Sequence, residues 1–188
     1  MKRNRNKKAS AYFIIGFLLL LIAGGWLGAN LYEDHAAGRN ATALLAQMEQ
    51  PMAEKSAEEI RLPDGKVFYG KIELPKFEIS LPVYLDWDYP KLKEAPCRYS
   101  GSLQGGNLII AAHNYRHHFG NLSGLSLGDH LYFIDGADHR HSFKVAEISR
   151  LDGTAIEEMQ AGEWDLTLFT CTKGGKQRVT VRCVRASS

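Results

Sequence analysis

The stretch "DLTLFTCTKGGKQRVTVRCVR", residues 165–185, reads as two antiparallel strands around the six-residue loop "TKGGKQ". If Cys171 and Arg178 close that loop, the facing pairs are Cys171–Arg178, Thr170–Val179, Phe169–Thr180, Leu168–Val181, Thr167–Arg182 and Leu166–Cys183. Facing residues share one side of a sheet, and sides alternate along each strand. One side therefore collects Leu166, Leu168, Thr170, Val179, Val181 and Cys183, a core face. The other collects Thr167, Phe169, Cys171, Arg178, Thr180 and Arg182, which is mostly polar and expected to be the more accessible. A slip of one residue would mix the two, so the register is well specified. Cys183 then reads as core packing, whereas Cys171 lies beside a guanidinium, a setting that makes a thiol reactive. A small buried hydrophobe is the other reading of Cys171, and the hairpin alone leaves both open.

Working outward, "KVFYGKIEL", "ISLPVYL", "GNLIIAA", "DHLYFID" and "HSFKVAEIS" are further short runs rich in Val, Ile, Tyr and Phe. The segments "PDG", "LSLGD" and "GADH" between them carry turn residues. Many short strands at this spacing predict a mainly β domain, a closed barrel or a sandwich. "YPKLKEA" and "GTAIEEMQAGE" read as short connecting helices.

The N-terminal part has another texture. Residues 1–8 carry Lys2, Arg3, Arg5, Lys7 and Lys8 with no acid, and residues 9–32 contain no charged side chain. A run of that length and apolarity suits one transmembrane helix. The basic flank predicts a cytoplasmic tip at 1–8 and an extracytoplasmic remainder, on a single-pass anchor. A cleaved signal peptide is the competing reading, because "AGGWLGA" offers small residues. Residues 33–61 read as a membrane-proximal helix and a linker lifting residues 62–188 off the surface. Taking the five basic residues of the tip from the formal charge of +2 leaves −3 for the rest, which argues against a nucleic-acid partner.

Three cysteines, Cys97, Cys171 and Cys183, do not make a disulfide scaffold, and an odd count motivates a search for a reactive thiol. Such a thiol needs a proton carrier, most often His. His139 and His141 flank Arg140 in what reads as a solvated hairpin; His130 sits in a turn, and His35 follows the apolar run. His113 differs, because it follows "GNLIIAA", a strand apolar on both faces, and opens the loop "HNYRHHFGNLSGL". A rigid strand would fix it while the loop leaves it accessible. His113, His117 and His118 also invite a metal reading, but the spacer lacks the Glu of a zinc hydrolase and Arg116 would repel a cation. His117 and His118 read as loop residues near a groove.

Taken together, these residues resemble the sortases of Gram-positive bacteria. "TLFTC", residues 167–171, matches the family signature Thr-Leu-x-Thr-Cys; Arg178 follows as the family's Arg does, and "AAHN" resembles the segment carrying its catalytic His. "GKIELP" and "LPVYLDWD" look like its first core strand and the segment after it, and the resemblance runs from about residue 62 to 185. It implies a closed eight-stranded β-barrel with short helices and a catalytic set of His113, Cys171 and Arg178. The implied reaction is cysteine transpeptidation of surface proteins bearing a C-terminal sorting motif, with a cell-wall precursor or pilin amine as acceptor. No metal or organic cofactor is implied, and no calcium site can be matched.

Two rivals accompany this reading: a thiol peptidase using water, and an inactive membrane-anchored binding barrel. Substrate choice is expected in residues 115–125 and 151–164. The second connection is shorter than the helical insertion typical of class B, which favours a Leu-Pro-x-Thr-Gly-like motif.

Overall fold

The computed structural model describes residues 3–50 and 52–186, with side chains from residue 12 onward. The side chains of the expected basic tip, and Ser187 and Ser188 at the other end, lie outside the described residues. The chain divides into two compact units, residues 1–36 and 37–188.

The first unit consists of the N-terminal part of helix α1 (Arg3–Met48). Within Tyr12–Met48 an 18-residue window reaches a mean hydropathy of 2.1, and none of that window is buried. By length and composition this helix can cross a membrane. Phe13 and Trp26 are 78% and 80% exposed, as a lipid-facing surface would be in the absence of lipid.

The second unit begins with the last turns of α1. Ala37, Ala41, Leu44 and Met48 recur at helical spacing and are all buried. From residue 37 the helix belongs to the same compact unit as the barrel. No proline interrupts residues 33–48.

After α1 come strands β1 (Glu54–Lys55), β2 (Ile60–Arg61), β3 (Val67–Leu74), β4 (Ile79–Tyr84), β5 (Cys97–Ser100) and β6 (Leu108–Ala112). They are followed by β7 (His130–Asp135), β8 (Arg140–Asp152), β9 (Leu166–Cys171) and β10 (Gln177–Arg185), with short helices α2 (Tyr89–Leu92) and α3 (Ile156–Gln160) between strands. The sheet runs β3-β4-β5-β6-β9-β10-β8-β7, and β7 pairs back onto β3, closing eight strands; β1 and β2 extend one edge. Closure bends β3 at Gly70, whose φ of 155° suits glycine and where a Cβ would lie 2.3 Å from the Ile134 carbonyl oxygen. Most pairs are antiparallel, but β6–β9 and the single β4–β5 contact are parallel. β5 was not legible in the sequence, since "CRYS" is short and half polar. β8 runs three residues beyond the expected strand, so Leu151 and Asp152 belong to it rather than to the connection.

Alternation sorts the side chains into two apolar layers. Leu108, Ile110, Ala112, Leu166, Leu168, Val181 and Cys183 fill the barrel interior. Cys97, Ala111, Tyr84 and Phe68 point outward and are covered by Leu44 and Met48 of α1 and Leu92 of α2. Burial pushes the Cys183 thiol up to about 12 and the Cys97 thiol to about 11, so neither is a nucleophile at neutral pH.

The β7–β8 hairpin corrects one expectation. Asp135 is 5% exposed and accepts hydrogen bonds from the Ala137 and His139 amides at 2.9 and 3.0 Å. His141 Nε2 lies 2.9 Å from its second oxygen, so His141 belongs to a buried turn network rather than to solvent. Burial works to raise this carboxyl, but the bonds with His141, His139 and Ala137 outweigh it and hold the group below its ordinary range. A depressed folded value stabilises above the unfolded pKa, and that contribution is lost as pH falls through the folded value. Asp135→Ala should cost about 1–3 kcal/mol in urea denaturation at neutral pH by orphaning two amides. Its deficit should shrink in acid; an undiminished deficit there would contradict the ionised role.

Candidate active site

The expected register of the last hairpin is the observed one, pair for pair, from Cys171–Arg178 to Leu166–Cys183. The parallel β6–β9 ladder adds Ala111–Phe169 and Ala112–Thr170. One step further along it, His113 falls beside Cys171. His113, Cys171 and Arg178 thus occupy one row across β6, β9 and β10, on the outer face. Thr170 Oγ1 donates to the Ala112 carbonyl at 2.8 Å and pins the two strand ends at this row.

The outer face is less open than its polarity suggested. Thr167 and Thr180 are buried, and Thr180 Oγ1 lies 3.8 Å from Met159 Sδ of α3. α3 roofs that end of the hairpin and leaves Cys171 half-buried at its edge. What remains is a cavity of about 190 Å³, lined by His113, Cys171 and Arg178 together with mainly apolar side chains. Trp87, Tyr89, Tyr99 and Phe169 form one wall, linked edge to face at centroid distances of 5.3 Å (Trp87–Tyr89), 6.4 Å (Trp87–Tyr99) and 5.3 Å (Tyr99–Phe169). Ile156 and Met159 of α3 also line the cavity. Ile156 and Met159 fall in the connection expected to set substrate choice, whereas the aromatic wall escaped sequence reasoning; the run "LDWDYP" carried the one visible signal, aromatic residues among acids where no strand was expected.

Backbone and ring contacts hold the His113 loop. The Phe119 amide donates to the His113 carbonyl at 3.2 Å, and the His113 and Tyr115 rings lie 5.1 Å apart. His117 and His118 do not line the cavity with Cys171: His118 is buried, and the His117 ring packs where a Cβ on Gly38 would lie 2.9 Å away. Arg178 Nη1 donates to the carbonyls of Gly175 at 2.9 Å and Gln177 at 3.3 Å, fastening the guanidinium to its own loop. Those bonds use one nitrogen of a group with five donors.

Cys171 also borders a second, larger cavity of about 870 Å³ at the open end of the barrel. Of the loops expected to set specificity, residues 115–125 contribute only Gly120 and Ser123, to this second space. The stretch 151–164 contributes Asp152, Gly153, Ala155, Ile156 and Met159 to the first.

A thiol at a strand end, an imidazole and a guanidinium on neighbouring strands, and an apolar groove beside them are the groups that acyl transfer of the cysteine type requires. The sortase-domain family model matches residues 72–186, and the chain belongs to the sortase family of cysteine transpeptidases. Among solved structures it is similar to sortase C1 of Streptococcus agalactiae, with 25% identity, 63% of this chain and 67% of that chain covered, and a TM-score of 0.57. Sortase C1 of Streptococcus suis gives 25% identity, 64% and 74% coverage and a TM-score of 0.56. Sortase C of Clostridium perfringens SM101 gives 23%, 84%, 91% and 0.58 in the same order, a likeness of fold. The search of curated proteins gave no match.

Proposed function

We propose that Cys171 is the nucleophile of a transpeptidase that cleaves a C-terminal sorting motif and passes the acyl chain to an amine. The observation that carries this reading is the single row of His113, Cys171 and Arg178 beside one apolar cavity. The Cys171 thiolate attacks the scissile carbonyl, and the tetrahedral oxyanion collapses to a thioester as His113 protonates the departing amine. An incoming amine then attacks the thioester, gives its proton to His113 and releases Cys171 as thiolate. Arg178, whose Nε and Nη2 have no protein acceptor among the described residues, stabilises the oxyanion or holds the substrate backbone by charge-assisted hydrogen bonds.

The aromatic and aliphatic lining of the first cavity suits the apolar residues that precede the scissile bond. A peptide panel tests both the chemistry and the motif. The Leu-Pro type should give a thioacyl-enzyme mass on Cys171 with the wild-type chain. Preference for the Asn-Pro type would show that connection length misassigns the motif, and absence of any adduct would reject the thioacyl route.

We further assign residues 9–32 to an uncleaved membrane span with residues 1–8 cytoplasmic, and residues 62–188 to an extracytoplasmic catalytic domain acting on surface proteins. The acceptor is then a cell-wall or pilin amine. The protein should fractionate with membranes at full length, and a mature N-terminus near Ala29 would overturn the anchor.

A further inference from the structure

Arg182 follows Arg178 and Thr180 along the outer face of β10, and its side chain is 12% exposed. Its guanidinium reaches three elements at once. Nη1 donates to Glu147 Oε1 of β8 at 3.0 Å, and Nη2 donates to the Glu158 carbonyl of α3. The Trp164 ring, in the connection from α3 to β9, lies 5.7 Å from Cζ. The remaining nitrogen, Nε, is buried with no acceptor among the described residues. A buried donor left unpaired weakens a fold, and an apolar side chain in its place is often as stable. Stability alone therefore gives a poor account of an arginine here.

The paired arms give a better one. α3 has five residues, too few to be stable on its own. The Met159 amide bonds back to the Ala155 carbonyl at 3.0 Å, but the Glu158 carbonyl lies in the last turn, past any intrahelical donor. Arg182 supplies that donor and brings positive charge to the helix C-terminus. The seat beneath α3 is otherwise thin: Met159 is buried and its sulfur meets Thr180 Oγ1 at 3.8 Å, whereas Ile156 is exposed. Ile156 and Met159 both line the cavity that Cys171 borders.

We propose that Arg182 is a positioning residue for the peptide groove: it latches α3 to the barrel and so fixes Ile156 and Met159 beside Cys171. The inference rests on the first cavity receiving the peptide that acylates Cys171. Arg182 does not itself line that cavity and acts through α3. A roof held in place before binding spares the complex the cost of ordering it. Loosening the latch therefore weakens peptide binding rather than slowing the chemistry.

Two variants test this. Arg182→Lys keeps a charge opposite Glu147, but an ammonium group lacks the fork that spans β8 and α3 together. Arg182→Met removes both bonds and leaves the Glu147 carboxylate to water. Should one of them fail to fold, the other carries the comparison. Each full-length chain, in detergent micelles, is compared with wild type by hydrogen exchange with mass spectrometry and by turnover of one sorting peptide. Exchange in residues 154–164 should rise about tenfold, the order of one hydrogen bond to a charged group, with β9 and β10 unchanged. KM for the peptide should rise by about the same factor, with kcat held within about twofold. Unchanged exchange in residues 154–164 overturns the latch, and faster exchange with an unchanged KM overturns its positioning role. Faster exchange throughout the barrel marks a general loss of stability and overturns the proposal as well. Thioacyl-enzyme formation on the wild-type chain reads the Cys171 assignment separately. If no adduct forms, the proposed function falls, while exchange still decides whether Arg182 holds α3.

Discussion

Cys171→Ala is expected to eliminate thioacyl-enzyme formation and transpeptidation while the protein still folds. The thiol is the only one of the three that is not fully buried. It ends β9 at the lip of a cavity, so its loss opens no void in the barrel interior. In the proposed route the side chain removed supplies the bond that is made and broken, and no neighbouring hydroxyl or thiol stands in the same row to replace it among the described residues. Cys183→Ala provides the contrast. That side chain is 0% exposed among Leu166, Val145 and Val181, and its loss should cost stability with activity retained in the folded fraction. Turnover by the Cys171 variant would remove the thiol from the mechanism altogether.

His113→Ala is expected to lower turnover by about 10²–10⁴-fold, the usual contribution of a positioned general acid–base group. The position follows from the ladder: β6 is buried along its whole length, and its next residue emerges in the row of Cys171. His117→Ala and His118→Ala should act differently. His117 packs near Gly38 and His118 is buried, so changes there loosen the loop without removing the proton carrier. A losses-in-common pattern across all three histidines would point to a metal-type cluster instead. The comparison uses one sorting peptide and reads kcat for each variant.

Much of this site is legible in the sequence because the last hairpin is self-registering. Its apolar and polar residues alternate along most of both strands, so pairing by one face fixes every partner, and the observed ladder agrees residue for residue. The strand leading to His113 was equally plain, being a short apolar run with a polar residue at its exit. Legibility failed where a second element decides the environment. Thr167 and Thr180 read as exposed because local alternation cannot know that α3 covers them. His141 read as solvated because its carboxylate partner, Asp135, sits on the opposite strand of the hairpin. The burial of Ala37 and Ala41 on α1 gave little signal in the sequence, because a small-residue stripe carries little apolar character until something packs on it. The aromatic wall was missed for a related reason. Trp87 and Tyr89 belong to a connection, and only the β4–β5–β6 arrangement brings them beside Tyr99 and Phe169.

The parallel pairing of β6 with β9 also has a consequence for how the chain acquires activity. Ala112 and Thr170, the last bonded neighbours on those strands, are 58 positions apart in sequence. A hairpin such as β9–β10 closes a short loop and can form early, whereas a parallel contact over that separation must first overcome a larger loop-closure entropy. Cys171 and Arg178 therefore meet in the local step, and the imidazole joins them only when the barrel shuts. A partly folded chain thus holds Cys171 without His113 beside it, and under the proposed mechanism is expected to stay chemically quiet toward peptides until folding is complete.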